Sequence, residues 1–164
     1  LCIGARRITI STSGLVPGIQ RLSEEGLQVE LSISLHAPSD GLRSRLMPVN
    51  RTYPLADLMA ACKAYFEKTN RLITFEYTLI KGMNDQVKHA TELAALLSSM
   101  PGRVNLIPLS PVAEFNGEAP PPSTAEMFVR TLEQAGINTT LRSSRGTSVN
   151  AACGQLRIHH GAQS

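Results

Sequence analysis

A chain of 164 residues, 42% of them hydrophobic, is long enough to bury one core and short for several domains. No apolar run approaches the roughly 20 residues that cross a bilayer, and no basic-then-apolar leader precedes the first strand-like stretch, so a cytoplasmic protein with no membrane partner is expected. The net charge of +3 and the excess of arginine over lysine, 12 to 4, suit phosphate contacts but equally reflect coding bias, and they permit a nucleic-acid partner without arguing for one. Cys2, Cys62 and Cys153 are odd in number and far apart, which is neither a disulfide framework nor a local metal motif and fits a reducing compartment. The opening LCIGARRITIST has no initiator Met and reaches a strand almost at once, and reads as a piece of a longer protein.

In chain order, five stretches rich in β-branched and apolar residues predict strands over 7–12 (RITIST), 30–36 (ELSISLH), 72–80 (LITFEYTLI), 103–109 (RVNLIPL) and 138–142 (NTTLR). A short helix is expected between the first two. Leu55, Leu58, Met59, Cys62 and Phe66 recur at helical spacing over 54–69, and Val87, Ala90, Leu93, Leu97 and Met100 do so over 85–100. Cys62 lies on the apolar stripe of its helix and reads as packing; Cys2 has no assigned role. A last helix is predicted to open with Ser123 as N-cap and Glu126 three residues on, a capping box, and to end at Gly136. Alternating strands and helices imply an α/β fold with parallel strands, either doubly wound or an arc of a (β/α) barrel.

In both architectures ligands gather at the C-terminal ends of the strands. Those ends read Ser11-Thr12-Ser13-Gly14, Ser34-Leu35-His36-Ala37-Pro38, Lys81-Gly82-Met83-Asn84-Asp85, Leu109-Ser110-Pro111 and Arg142-Ser143-Ser144-Arg145-Gly146. Hydroxyl, amide, imidazole and guanidinium groups converge there, as a polar small ligand requires. Each also has a plain structural reading: Ser11, Ser13 and Asn84 as turn or cap residues, and His36 as a satisfied loop histidine. Glu76 stands alone in mid-strand, and no acid–base pair can be picked out. Walker A, GxGxxG, HExxH and GxSxG motifs are all missing from the sequence. The remaining singular feature is RGTSVNAACGQL, in which Cys153 sits between two alanines and a glycine with arginines upstream, leaving its thiol room for a partner.

The blocks RRITISTSGLVPGI, SISLHAP, LMPVNRTYPL, FEYTLIKGMND, VNLIPLSP and RSSRGTSVNAACGQL, in this order, resemble the RlmN/Cfr family of radical S-adenosylmethionine (SAM) RNA methyltransferases. The resemblance runs from Leu1 to about Arg157 and corresponds to the C-terminal half of a typical member. It implies the C-terminal portion of a partial (β/α) TIM-like radical SAM barrel over 1–157, with 158–164 as a disordered tail. SAM and a [4Fe–4S] cluster are the implied cofactors. The implied reaction is methylation of C2 of an adenine in 23S rRNA, and in tRNA for the RlmN branch, with an electron donor such as a flavodoxin. By position Cys153 matches the methyl-carrying cysteine, which passes through an S-methylcysteine intermediate, and Arg142 and Arg145 favour its thiolate. Ser11 and the tripeptide Ser34, Leu35 and His36 match SAM-contacting positions, and Ser110 falls where members carry an Asn.

The sequence departs from the family pattern in several places. Ser110 lacks the amide of Asn, and Ser148 stands where many members carry an acidic residue. The cluster triplet CxxxCxxC, the GGMGEP-type segment, the general-base glutamate and the partner cysteine do not occur in this sequence, and the resemblance places them upstream of Leu1. The fragment alone is therefore expected to be inactive, and half a barrel is expected to leave a sheet edge and an apolar inner face unpaired. Two alternatives stand beside this reading: a non-catalytic remnant or RNA-contacting module, and an unrelated α/β enzyme with a cysteine nucleophile, whose nearest candidate bases are His159 and His160. Within the family, a Cfr-type C8 methyltransferase is the alternative to the RlmN type, which the AACGQLR block favours.

Overall fold

The computed structural model describes residues 4–110 and 115–142. Its elements, in order, are β1 (Thr9–Thr12), α1 (Val16–Glu24), β2 (Glu30–Ser34), α2 (Asp40–Leu46), α3 (Leu55–Thr69), β3 (Ile73–Leu79), α4 (Val87–Leu97), β4 (Gly102–Pro108), α5 (Pro122–Gln134) and β5 (Asn138–Leu141). Short 3-10 turns at Ala5–Arg7 and Pro48–Arg51 flank β1 and α3. All pairings are parallel, and the strands lie in the sheet in chain order, β1 to β5. That order decides between the two architectures. A doubly wound sheet reverses its strand order at a switch point. Here no reversal occurs, and right-handed crossovers then put every helix on one face, which is an arc of a (β/α) barrel.

Strand alternation divides the sheet into two unlike faces. Leu31, Ile33, Ile73, Phe75, Tyr77, Leu79, Val104 and Leu106 are buried on the helix side. They meet Leu58, Cys62 and Tyr65 of α3, Leu93 and Leu97 of α4, and Phe128 and Leu132 of α5 in one core. Tyr77 and Phe128 stack at a tilt, with ring centroids 5.5 Å apart. Cys62 is a core residue, as its helical position predicts; burial pushes its thiol up to about 12, so it is inert at neutral pH.

The other face corrects the expectation of an apolar inner surface. Register aligns Ser11, Ser32, Thr74 and Arg103 in one row and Ser34, Glu76 and Asn105 in the next. Five of these seven side chains satisfy one another. Ser32 Oγ and Asn105 Nδ2 donate to Glu76 Oε1 at 3.3 and 3.2 Å, and Arg103 Nε donates to Thr74 Oγ1 at 2.9 Å. At the N-terminal end of the strands, Arg71 and Arg103 both pair with Glu30, at 3.5 and 3.2 Å. A face so composed needs no apolar cover. The sheet edge is as expected: β1 pairs on one side only, and Ile8 and Ile10 beside it are exposed.

Two local expectations fail for identifiable reasons. α5 begins at Pro122 with Pro121 at the N-cap, so Ser123 lies within the first turn and caps nothing. Proline at the first helical position has no N–H to satisfy and its fixed φ suits the helix, so it starts the helix ahead of the serine. The helix-opening side chain sits instead on α4, where His89 Nδ1 accepts the Gln86 backbone N–H at 3.2 Å. α2 was not foreseen; its seven residues, DGLRSRL, carry no repeating apolar stripe.

Candidate functional site

The C-terminal end of β1 turns through Ser13 and Gly14. Thr12 Oγ1 accepts the N–H groups of Gly14 and Leu15 at 3.2 and 3.3 Å, so Thr12, and neither Ser11 nor Ser13, makes the turn by its side chain. That leaves the Ser11 hydroxyl exposed at the strand end. Gly14 has φ +107°, and a Cβ there would stand 2.9 Å from Arg43 Nη2, so both backbone and space demand glycine.

Arg43, from α2, is the largest fully buried side chain among the described residues. Its guanidinium donates to Leu35 O (3.1 Å), Ser34 O (3.0 Å), Ser13 O (2.7 Å) and Asn50 Oδ1 (3.0 Å). It thus laces the end of β1 to the end of β2. Among the described residues no carboxylate pairs with it. The counter-charge stands one residue away: Asn50 Nδ2 donates to Asp40 Oδ1 at 2.9 Å, and the same oxygen accepts the Leu55 N–H at the start of α3, at 2.8 Å. A planar fork with several fixed donors suits this task, whereas a lysine would supply one point charge.

Beyond Ser34 the chain turns sharply. Leu35 N–H and His36 N–H both donate to Glu76 O, at 3.0 and 3.2 Å, and His36 adopts φ +57°, left-handed for a residue with a Cβ. Such a conformation costs on the order of 1–2 kcal/mol and persists only where neighbours enforce it. His36 Nδ1 accepts the Thr78 N–H at 3.0 Å, and His36 O accepts from Asn84 Nδ2 at 2.9 Å. Burial, reinforced by the Arg43 charge, lowers its pKa to about 4, so the imidazole is neutral at physiological pH.

Ser34 and His36 therefore share the C-terminal end of the polar face with Ser11 one strand over, while Leu35 points its fully buried side chain into the core. Ser110 lies just past β4, half-buried, at the same end of the sheet. Asn84 is a buried structural residue, as one of its two sequence readings held. Cys153, with Arg145, Ser148 and the 158–164 tail, lies outside the described residues; Arg142 is exposed at the end of β5. Sequence reasoning missed Arg43, Asn50 and Asp40. Among the described residues no group of three or more His, Cys, Asp or Glu side chains could hold a metal ion, and no helix is long and apolar enough to cross a membrane.

Replacing Arg43 with Met should strand three main-chain carbonyls and Asn50, lowering stability by about 3–5 kcal/mol in urea unfolding, with Arg43→Lys recovering little. A second expectation concerns pH. His36 titrates near 4 when folded and near 6.5 when unfolded, so the unfolded chain binds the extra proton between those values. Its contribution is intact above pH 6.5 and is lost on acidification toward pH 4, by about 3 kcal/mol in all. In His36→Asn, which tolerates the left-handed backbone, denaturation midpoints should fall less steeply over that window.

No protein-family model matches the chain. Among curated proteins it is 53% identical over 157 residues to a probable dual-specificity RNA methyltransferase RlmN of Thermoanaerobacter sp. (strain X514), covering 96% of this chain and 46% of that protein. Proteins of the same name from Pelotomaculum thermopropionicum and Bacillus thuringiensis (strain Al Hakam) are each 52% identical over 96% of this chain and 43% of their own length. The chain thus spans about half the length of the curated relatives it matches. A crystal structure of a radical SAM methyltransferase from Sphaerobacter thermophilus superposes with a TM-score of 0.90 at 52% identity, over 93% of this chain and 45% of that one. A domain of a pyruvate-formate lyase-activating enzyme from Bacteroides vulgatus shares the fold alone, with a TM-score of 0.65 at 17% identity over 82% of this chain and 80% of that one. By sequence and by fold together, the chain belongs to the RlmN/Cfr family of radical SAM methyltransferases.

Proposed function

We propose that this chain forms the SAM-facing, methyl-carrying half of a radical SAM methyltransferase acting on C2 of an adenine in 23S rRNA and tRNA. The observation that carries the reading is the meeting of Ser11, Ser34 and His36 at the C-terminal end of a polar barrel face, in a chain that superposes closely on a radical SAM methyltransferase. A polar face of hydroxyl, amide and carboxylate groups fits SAM, whose ribose, amino-acid and purine groups all seek hydrogen bonds. Ser11, Ser34, His36 and Ser110 would hold it. Leu35, also matched by the resemblance, has its side chain in the core and both main-chain groups paired, and anchors the turn between Ser34 and His36. The chain's own residues do not fit a [4Fe–4S] cluster, because its three cysteines form no cluster triplet; in this reading the cluster ligands come from outside the chain.

Bound SAM supplies an electrophilic methyl group and, on reduction, a source of hydrogen-abstracting radical. The chain's part in the chemistry follows from the acceptor. An adenine C2 is electron-poor and does not attack an electrophile, whereas a cysteine thiolate does. Cys153 is the residue assigned to carry the methyl group, on the strength of the AACGQL block. Arg142 and Arg145 favour its thiolate by charge. Neutral His36 would add no positive charge to a site that holds a sulfonium.

The test is mass analysis of the intact protein after incubation with SAM and reductant. The peptide containing Cys153 should gain one methyl group, and Cys153→Ala should abolish RNA methylation while SAM still binds. Normal turnover by Cys153→Ala would refute the carrier role.

A further inference from the structure

We propose that Asn84 is a positioning residue that presents His36 as a fixed Nε2–H donor to the nucleoside ligand of this site. The inference rests on the SAM reading for the ligand's identity, and on geometry alone for the lock.

Every hydrogen-bonding position used by the Asn84 amide points to the lock. The side chain has no exposed surface. Its Nδ2 donates to His36 O at 2.9 Å and to Thr78 O at 2.7 Å, and its Oδ1 accepts the Ile80 N–H at 2.7 Å. With an N–H on one side and two carbonyls on the other, only one amide orientation satisfies all three. The Tyr77 hydroxyl donates to Asn84 O at 2.8 Å and fixes the loop from below. Asn84 thus holds the left-handed His36 by its carbonyl and holds Thr78 by its carbonyl.

Thr78 completes the arrangement from its other side, because its N–H donates to His36 Nδ1. A neutral imidazole that accepts at Nδ1 carries its proton on Nε2. Nε2 has no hydrogen-bond partner among the described residues, and His36 as a residue is only partly buried. The site therefore offers an oriented, uncharged donor beside Ser34. Such a donor recognises a purine ring nitrogen or a ribose oxygen and does not repel a sulfonium. Asn84 lies 48 residues from His36 in the chain, so only the fold joins them.

The decisive experiment combines nitrogen NMR with binding on the intact protein, 15N-labelled at histidine and titrated with S-adenosylhomocysteine. The wild type should show His36 with Nδ1 unprotonated and Nε2 protonated. In Asn84→Ala that pattern should average between the two tautomers, while His89, locked separately by the Gln86 N–H, keeps its own. Asn84→Ala should weaken S-adenosylhomocysteine by about tenfold, the loss of one oriented hydrogen bond. His36→Leu should weaken it similarly, and adding Asn84→Ala to His36→Leu should cost nothing further, because Asn84 acts through His36. An Nδ1-protonated His36 in the wild type, or additive losses in the double variant, would overturn the proposal. So would equal disturbance of His36 and His89, which marks a general loss of fold. A fixed tautomer with no binding of S-adenosylhomocysteine by the wild type would retain the lock and overturn the ligand assignment.

Discussion

The guanidinium of Arg43, sealed beneath the ends of β1 and β2, is the interaction on which the mouth of this sheet depends. Three main-chain carbonyls that the strands cannot pair among themselves, those of Ser13, Ser34 and Leu35, end on it. Unpaired buried carbonyls are costly, and a buried cation without ligands is costlier. Each offsets the other here. The arrangement reaches further through Asn50 to Asp40, and through Asp40 to the first N–H of α3. One charge network thereby joins two strand ends and the start of a helix, and it sets the spacing between the ends of β1 and β2.

The second constraint is the division of the sheet into an apolar and a polar face. Parallel strands covered on both sides usually read as continuous apolar runs. These strands alternate, because the face away from the helices carries Ser34 together with Ser32, Glu76 and Asn105, the last three in mutual hydrogen bonds. Such a surface suits water or a polar ligand better than apolar packing. The same alternation sends Leu35 into the core between Ser34 and His36, so core packing and the proposed ligand contacts share three consecutive residues. His36 can take its left-handed turn there because Leu35 anchors one side and Asn84 and Thr78 hold the other.

Much of this was legible in the sequence. The five strands stood out by β-branched runs, α3 and α4 by apolar periodicity, and the strand-end rule placed Ser11, Ser34 and His36, with the other strand-tip residues, at one end of the sheet before any coordinates. The choice between barrel arc and doubly wound sheet was legible in the family resemblance and not in the periodicity, because strand order in space leaves no periodic trace in a chain of alternating elements. Arg43, Asn50 and Asp40 were invisible for a related reason: in sequence they look like the exposed polar residues of a short connecting helix, and only burial reveals their task. Asn84 was visible only as an ambiguity between cap and ligand contact. Ser123 misled because a following Glu126 imitates a capping box, while Pro122 had already begun the helix.

The most direct test of this account is a crystal structure of the intact protein with S-adenosylhomocysteine. The account predicts the nucleoside on the polar face at the C-terminal ends of β1, β2 and β4, with Ser34 and His36 Nε2 within hydrogen-bond distance and the turn of His36 unmoved. A nucleoside bound elsewhere, or a His36 turn that must rearrange to admit it, would contradict the account.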